Sequence, residues 1–105
     1  GLPPGGSMAF DRKKFSDAVA QSGLSMRELG ALYGVTRVTL YSWLDTGHPR
    51  HFTLEQWVGV VTEAISRAVE RRLLPFPKSL ARTARNDRID KMRVALLESK
   101  KIYAR

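Results

Sequence analysis

Residues 22–36 read SGLSMRELGALYGVT, and this stretch opens and closes a short helix by local chemistry alone. Gly23 supplies a left-handed stop for whatever helix precedes it. Ser25 and Glu28 then form a capping box, in which the Ser25 hydroxyl and the Glu28 carboxylate each satisfy a backbone N–H that a first turn leaves free. Gly34 ends the helix at a tight turn that needs a positive φ. Thr36, two residues later, can cap the next helix. Small residues, Gly30 and Ala31, stand where two helices joined this closely would cross.

Similar punctuation runs along the rest of the chain. Asp11 is a plausible N-cap for a helix carrying Phe15, Ala18 and Val19 on one face. The helix capped by Thr36 runs through Leu44, and Gly47 closes it. Thr53-Leu-Glu-Gln56 reads as a second capping box, opening a helix in which Leu54, Trp57, Val58, Val61, Ile65 and Ala68 recur at helical spacing. Pro75 and Pro77 break that helix. Beyond them, residues 79–103 set Ile89, Met92 and Leu96 on one stripe, with Val94 and Leu97 to either side. A stripe this narrow, flanked by charge, either docks on the domain or pairs with another chain. No stretch alternates strictly over five or more residues, so no strand is expected. The chain therefore reads as all-α: a compact four- to five-helix domain over residues 8–74, followed by a Pro-delimited basic helix over 75–105. The opening GLPPGGSM lacks the apolar centre of a signal peptide, and residues 1–7 read as a cloning remnant ahead of an initiating Met8.

Composition narrows the possibilities. The 105 residues suffice for one small domain. The absence of cysteine excludes a disulfide framework and thiolate zinc sites. No apolar run approaches the roughly 20 residues of a membrane-spanning helix. Eighteen Lys and Arg against ten Asp and Glu give a net charge of +8, which points to a polyanionic partner. Most of that charge sits in residues 75–105, where Lys78, Arg82, Arg85, Arg88, Lys91, Arg93, Lys100, Lys101 and Arg105 face only Asp87, Asp90 and Glu98. A solubilising surface is the plain alternative.

On a helix at 100° per residue, Thr36, Leu40, Trp43 and Leu44 share one face, while Val38, Tyr41, Ser42 and Asp45 point away and Arg37 stands on the shoulder of the first turn. The outer face thus offers a guanidinium, a hydroxyl, a phenol and a branched methyl group. These are the types that read base edges in a major groove: Arg to guanine O6 and N7, Ser or Thr to several partners, an apolar group to the thymine methyl. Taken alone, the same face also suits burial of Val38 and Tyr41 against the tail or another subunit.

Other chemistry finds less support. His48 and His51 bracket a Pro-Arg turn, but no carboxylate or cysteine stands at ligand spacing, so no metal is expected. Asp11 with Asp17, or Asp87 with Asp90, lack a nucleophile, a histidine or a phosphate-cradling loop beside them; Asp11 is more simply a cap, and the later two are intrahelical partners of Arg88 and Lys91. Trp43 and Trp57 fall on inward stripes and read as core. The chain is accordingly expected to be no enzyme, with no cofactor, no small-molecule substrate and no membrane contact.

Between Leu29 and Leu40 the chain reads LGALYGVTRVTL, and here it resembles the helix-turn-helix of the Cro/Xre, or lambda-repressor-like, family of phage and bacterial repressors. In that pattern a small residue lies four positions before a turn glycine, a hydrophobic residue six positions after it and another three further on. Gly30, Gly34, Leu40 and Trp43 occupy those positions, and Leu24, Glu28 and Leu29 also fit. Glycine at 30 departs from the more usual alanine. The resemblance spans residues 11 to about 70. It implies a cytoplasmic, sequence-specific double-stranded DNA-binding protein, a phage or prokaryotic transcriptional regulator acting as a homodimer. Arg37, Val38, Thr39 and Ser42 would then contact bases, and Ser25, Thr36, Tyr41 and Arg50 would contact phosphates. Ile89, Met92 and Leu96 would serve self-association, unless the basic helix over 75–105 instead adds DNA contact. The alternative is a DNA-marking assembly protein resembling a small terminase subunit, in which the last helix builds a ring.

Overall fold

The computed structural model describes residues 10–103; the expected remnant over residues 1–7 lies outside them. Five helices follow one another: α1 (Arg12–Ser22), α2 (Met26–Tyr33), α3 (Arg37–Asp45), α4 (Phe52–Glu70) and α5 (Arg82–Tyr103). No strand occurs among the described residues, and the all-α expectation holds.

Local signals place the first three helices where the sequence puts them. The Asp11 side chain accepts from the Lys14 N–H, and Gly23 ends α1 with φ +67°. Both halves of the capping box close: Ser25 N–H donates to Glu28 Oε1 (2.9 Å) and Glu28 N–H to Ser25 Oγ (3.1 Å). Gly34 adopts φ +77°. The preceding Gly30 is equally constrained, because a Cβ there would lie 2.8 Å from the Val35 carbonyl oxygen. A three-residue turn is possible only because both positions lack a side chain.

Three boundaries differ from expectation. α3 ends at Asp45, and both Thr46 and Gly47 donate back to the Ser42 carbonyl (3.2 and 2.7 Å), so Thr46 is the cap and Gly47 completes the closure. α4 starts before Thr53: His51, extended at φ −106° and ψ 138°, is its N-cap, without a side-chain cap bond. The buried Pro49 anchors the loop ahead of it, and the chain enters the helix two residues early, leaving Thr53 inside the first turn rather than capping it. Finally, α4 stops at Glu70, well before the prolines. Arg72 takes φ +62° and the Leu73 N–H bonds to the Ala68 carbonyl at 2.8 Å, a left-handed stop made without glycine.

An aromatic junction forms the centre. Phe15 of α1, Tyr33 of α2 and Trp43 of α3 meet edge to face with centroids 5.5, 5.9 and 6.3 Å apart, a geometry favoured by the ring quadrupoles. α4 lies across them, its Trp57, Val58, Val61 and Ile65 all buried. It also satisfies the polar ends of the junction. The Tyr33 hydroxyl shares a 2.7 Å bond with Thr62 Oγ1, and the Trp57 indole N–H donates to the Tyr33 carbonyl at 2.8 Å. Among the described residues no buried side-chain polar atom lacks a partner.

The segment after α4 belongs to this same core. Leu74 and Phe76, either side of Pro75, are buried with Ile89 of α5 in one cluster with Phe15 and Trp43. Within the chain, the stripe expected to serve self-association faces this core: Ile89 is 2% exposed, and Met92 and Leu96 pack partly buried against it. It docks on its own domain because α2 offers both an apolar flank and an ion pair. The Arg85 guanidinium grips Glu28 with two bonds of 2.8 Å, Nε to Oε2 and Nη2 to Oε1. It also lies over the Phe76 ring, 5.3 Å from its centroid. Hydrogen bonding from Arg85, with help from Ser25, holds the Glu28 carboxyl at about 2, well below its ordinary 4.5.

Such a depressed carboxyl contributes stability that is fully present above its unfolded pKa and is lost as pH falls through the folded value. Between about pH 4.5 and 2 this pair should therefore cost the parent on the order of 3 kcal/mol, and Glu28→Gln should remove that part of the acid slope. Chemical melts of both proteins across that window check it; identical slopes would mean that Glu28 carries no special share.

Candidate nucleic-acid interface

The α2–α3 unit sets one helix face outward. Thr36 caps α3 by accepting from the Thr39 N–H (3.3 Å), and its hydroxyl also bonds that of Thr39 (3.1 Å). Leu40 and Trp43 are 0% and 4% exposed, which fixes the roll of the helix. Opposite them Val38 is 78% and Tyr41 57% exposed, with Arg37 and Ser42 also open to solvent. Thr39 is half-buried. Of the two hydroxyl protons on Thr36 and Thr39, their mutual bond uses one and leaves one to offer outward.

Four of these residues (Arg37, Val38, Tyr41 and Ser42) thus share a continuous outer surface, with Thr36 and Thr39 at its edge. α5 packs on α2 and α4, and the exposure of Val38 and Tyr41 shows that the tail does not cover them. The structure thereby removes one of the two alternatives left by the sequence, burial against the tail. An exposed valine and tyrosine opposite a buried tryptophan form a surface of mixed chemistry, with one cation at the end where the helix begins.

The other expected contacts lie around this face. Ser25 is exposed at the start of α2, and its oxygen accepts from the Glu28 N–H. Arg50 is exposed just before α4, whose first turn has no side-chain cap. The neighbouring His48 ring lies 4.0 Å from Glu55. Among the described residues no group of three or more His, Asp or Glu could hold a metal ion. Ile89, Met92 and Leu96 lie apart from the α3 face, on the flank of α2.

Sequence reasoning missed one cation at the turn itself. A Cβ added at Gly34 would lie 3.5 Å from the Arg93 guanidinium, so α5 places Arg93 against the α2–α3 turn. With Arg85 at Glu28 near the start of α2 and Arg93 at its end, α5 runs parallel to α2. A basic tail is visible in the sequence, but its direction across another helix is not. Comparison with known proteins finds no matching family model, no matching curated protein and no matching solved structure.

The burial pattern of α3 makes a contrast that melting can test. Trp43→Ala should cost roughly 3–5 kcal/mol of stability, because it empties the aromatic junction. Val38→Ala and Tyr41→Ala, on the open face, should stay within about 0.5 kcal/mol of the parent. Equal losses at all three positions would mean that α3 is rolled differently or that its outer face is covered in solution.

Proposed function

We propose that this chain is a sequence-specific double-stranded DNA-binding protein, a transcriptional regulator of phage or prokaryotic type that inserts α3 into the major groove. One observation carries the proposal: a capped helix after a three-residue turn is buried on one side by Leu40 and Trp43 and presents Arg37, Val38, Tyr41 and Ser42 uncovered on the other. An α-helix with its side chains is about 10–12 Å across, and a major groove about 12 Å wide admits it. The net charge of +8 supplies the sequence-independent attraction to phosphate.

In this reading Arg37 makes a bidentate contact to guanine, Val38 meets a thymine methyl, and Ser42 and the Thr39 hydroxyl bond base edges. Ser25, Thr36, Tyr41 and Arg50 hold phosphates, and those at helix starts gain from the helix dipole. A single unit this small covers little DNA. Two copies on half-sites about one turn apart give the needed surface. Ile89 is spent inside the chain, so of the stripe it belongs to only the partly buried Met92 and Leu96 could still meet a second copy.

Selecting bound sequences from a random duplex pool, followed by affinity measurements on the selected site, tests the proposal directly. Arg37→Ala should weaken binding to that site by about 1–3 kcal/mol and change binding to random duplex much less. Failure of the selection to enrich any sequence would overturn the assignment. Equal loss on selected and random DNA would reduce Arg37 to a phosphate contact. Light scattering on the protein–DNA complex should report two copies; eight or more would indicate a ring.

A further inference from the structure

Two surface grooves of opposite charge flank the helical core. The larger, of about 800 Å³, lies between α2 and the first half of α5 with the segment that leads into it; its charged lining is Arg27, Lys78, Arg82 and Arg85 against Glu28 and Asp90. The smaller, of about 480 Å³, lies between α1 and α4 and is lined by Asp11, Asp17, Glu63 and Glu70 against Lys13 and Lys14. One groove therefore carries a net +2 and the other a net −2. Their cations are also differently engaged. Lys13 pairs with Asp17 and Lys14 with Glu63, whereas among the described residues Arg27, Lys78 and Arg82 have no ion-pair partner. In the larger groove Arg85 neutralises Glu28, leaving Asp90 as the one carboxylate facing three uncommitted cations.

Placement gives these cations a direction. Ser25, the N-cap of α2, lines the same groove. The groove runs along α2 from Ser25 to Ala31, and Ala31 stands three residues before Gly34, so its far end lies about 5 Å from the turn that leads into α3. Resting on the assignment of α3 to the major groove, we infer that Arg27, Lys78 and Arg82 form a second clamp on the same duplex, gripping the phosphate backbone beside the bases that α3 reads. The clamp recognises phosphate charge and carries no sequence information. The Glu28–Arg85 fork acts as its positioning device, because it holds the start of α5, and with it Arg82, against the first turn of α2. The acidic α1–α4 groove repels the same backbone.

Salt dependence separates the clamp from the base-reading face. Each phosphate neutralised adds about 0.9 to the slope of log affinity against log salt. The double variant Lys78→Ala/Arg82→Ala should therefore flatten that slope by about 2 units, with equal weakening on selected and random duplex. Both side chains are exposed and unpaired, so its melt should match that of the parent. Lys91→Ala provides the control: Lys91 is an α5 cation already paired with Asp87 at 2.9 Å and outside the groove, and its slope should stay near the parent's. A double variant that keeps the parent slope, or a Lys91→Ala slope reduced as much per charge, overturns the clamp and leaves the α3 assignment standing. A parent protein without sequence preference, whose slope still flattens in the double variant, overturns the α3 assignment and keeps a phosphate-gripping groove.

Discussion

The chain reverses between α2 and α3 in three residues because Gly34 sits at φ +77° and Gly30 leaves room for the Val35 carbonyl. A side chain at either position would be strained or would collide with backbone, and the two helices could not approach as they do. That single constraint propagates. It brings Leu40 and Trp43 against Tyr33 and Phe15, which fixes the roll of α3, and the roll decides that Val38 and Tyr41 face outward. Burying Trp43 and exposing Tyr41 are one decision, since residues two apart on a helix lie some 200° from each other.

A carboxylate links this turn to the rest of the fold. Glu28 closes the N-terminus of α2 through Ser25 and holds α5 through Arg85, so one side chain serves local capping and long-range docking at once. Both roles need the charged form, which explains why its pKa falls to about 2 although the group is largely buried. Surface pairs elsewhere behave differently. Lys14 holds the Glu63 carboxyl below its usual range, but both partners are well exposed and water screens such a pair. α5 is thus anchored by a sheltered fork, whereas its Lys91–Asp87 pair is, like Lys14–Glu63, an exposed one.

Much of the fold was legible because its signals act over three or four residues. Asp11, Gly23, the Ser25–Glu28 box, Gly34 and Thr36 each work through their own neighbours' backbone groups. Thr53 shows where such reading stops: the Thr-x-x-Gln pattern is locally sound, yet the buried Pro49 brings the chain into α4 two residues earlier. Arg72 shows it again. No rule of residue preference places an arginine at positive φ, and the stop falls there while Leu74 and Phe76, beyond it, enter the core.

What the sequence by itself determined is the set of helices, their buried stripes and the chemistry of the α3 face, since periodicity and capping depend only on residues a turn or so apart. Tertiary structure alone decided where α5 goes. The stripe of Ile89, Met92 and Leu96 requires burial, but the hydrophobic effect is non-directional and is satisfied equally by the chain's own core or by a second copy. The choice was made by a directional contact, the two bonds from Arg85 to a carboxylate 57 residues away, and with it Lys78 and Arg82 came to lie at the start of α2 rather than on a free arm. A pairing at that separation leaves no trace in local pattern, because each partner taken alone is an ordinary helical charge.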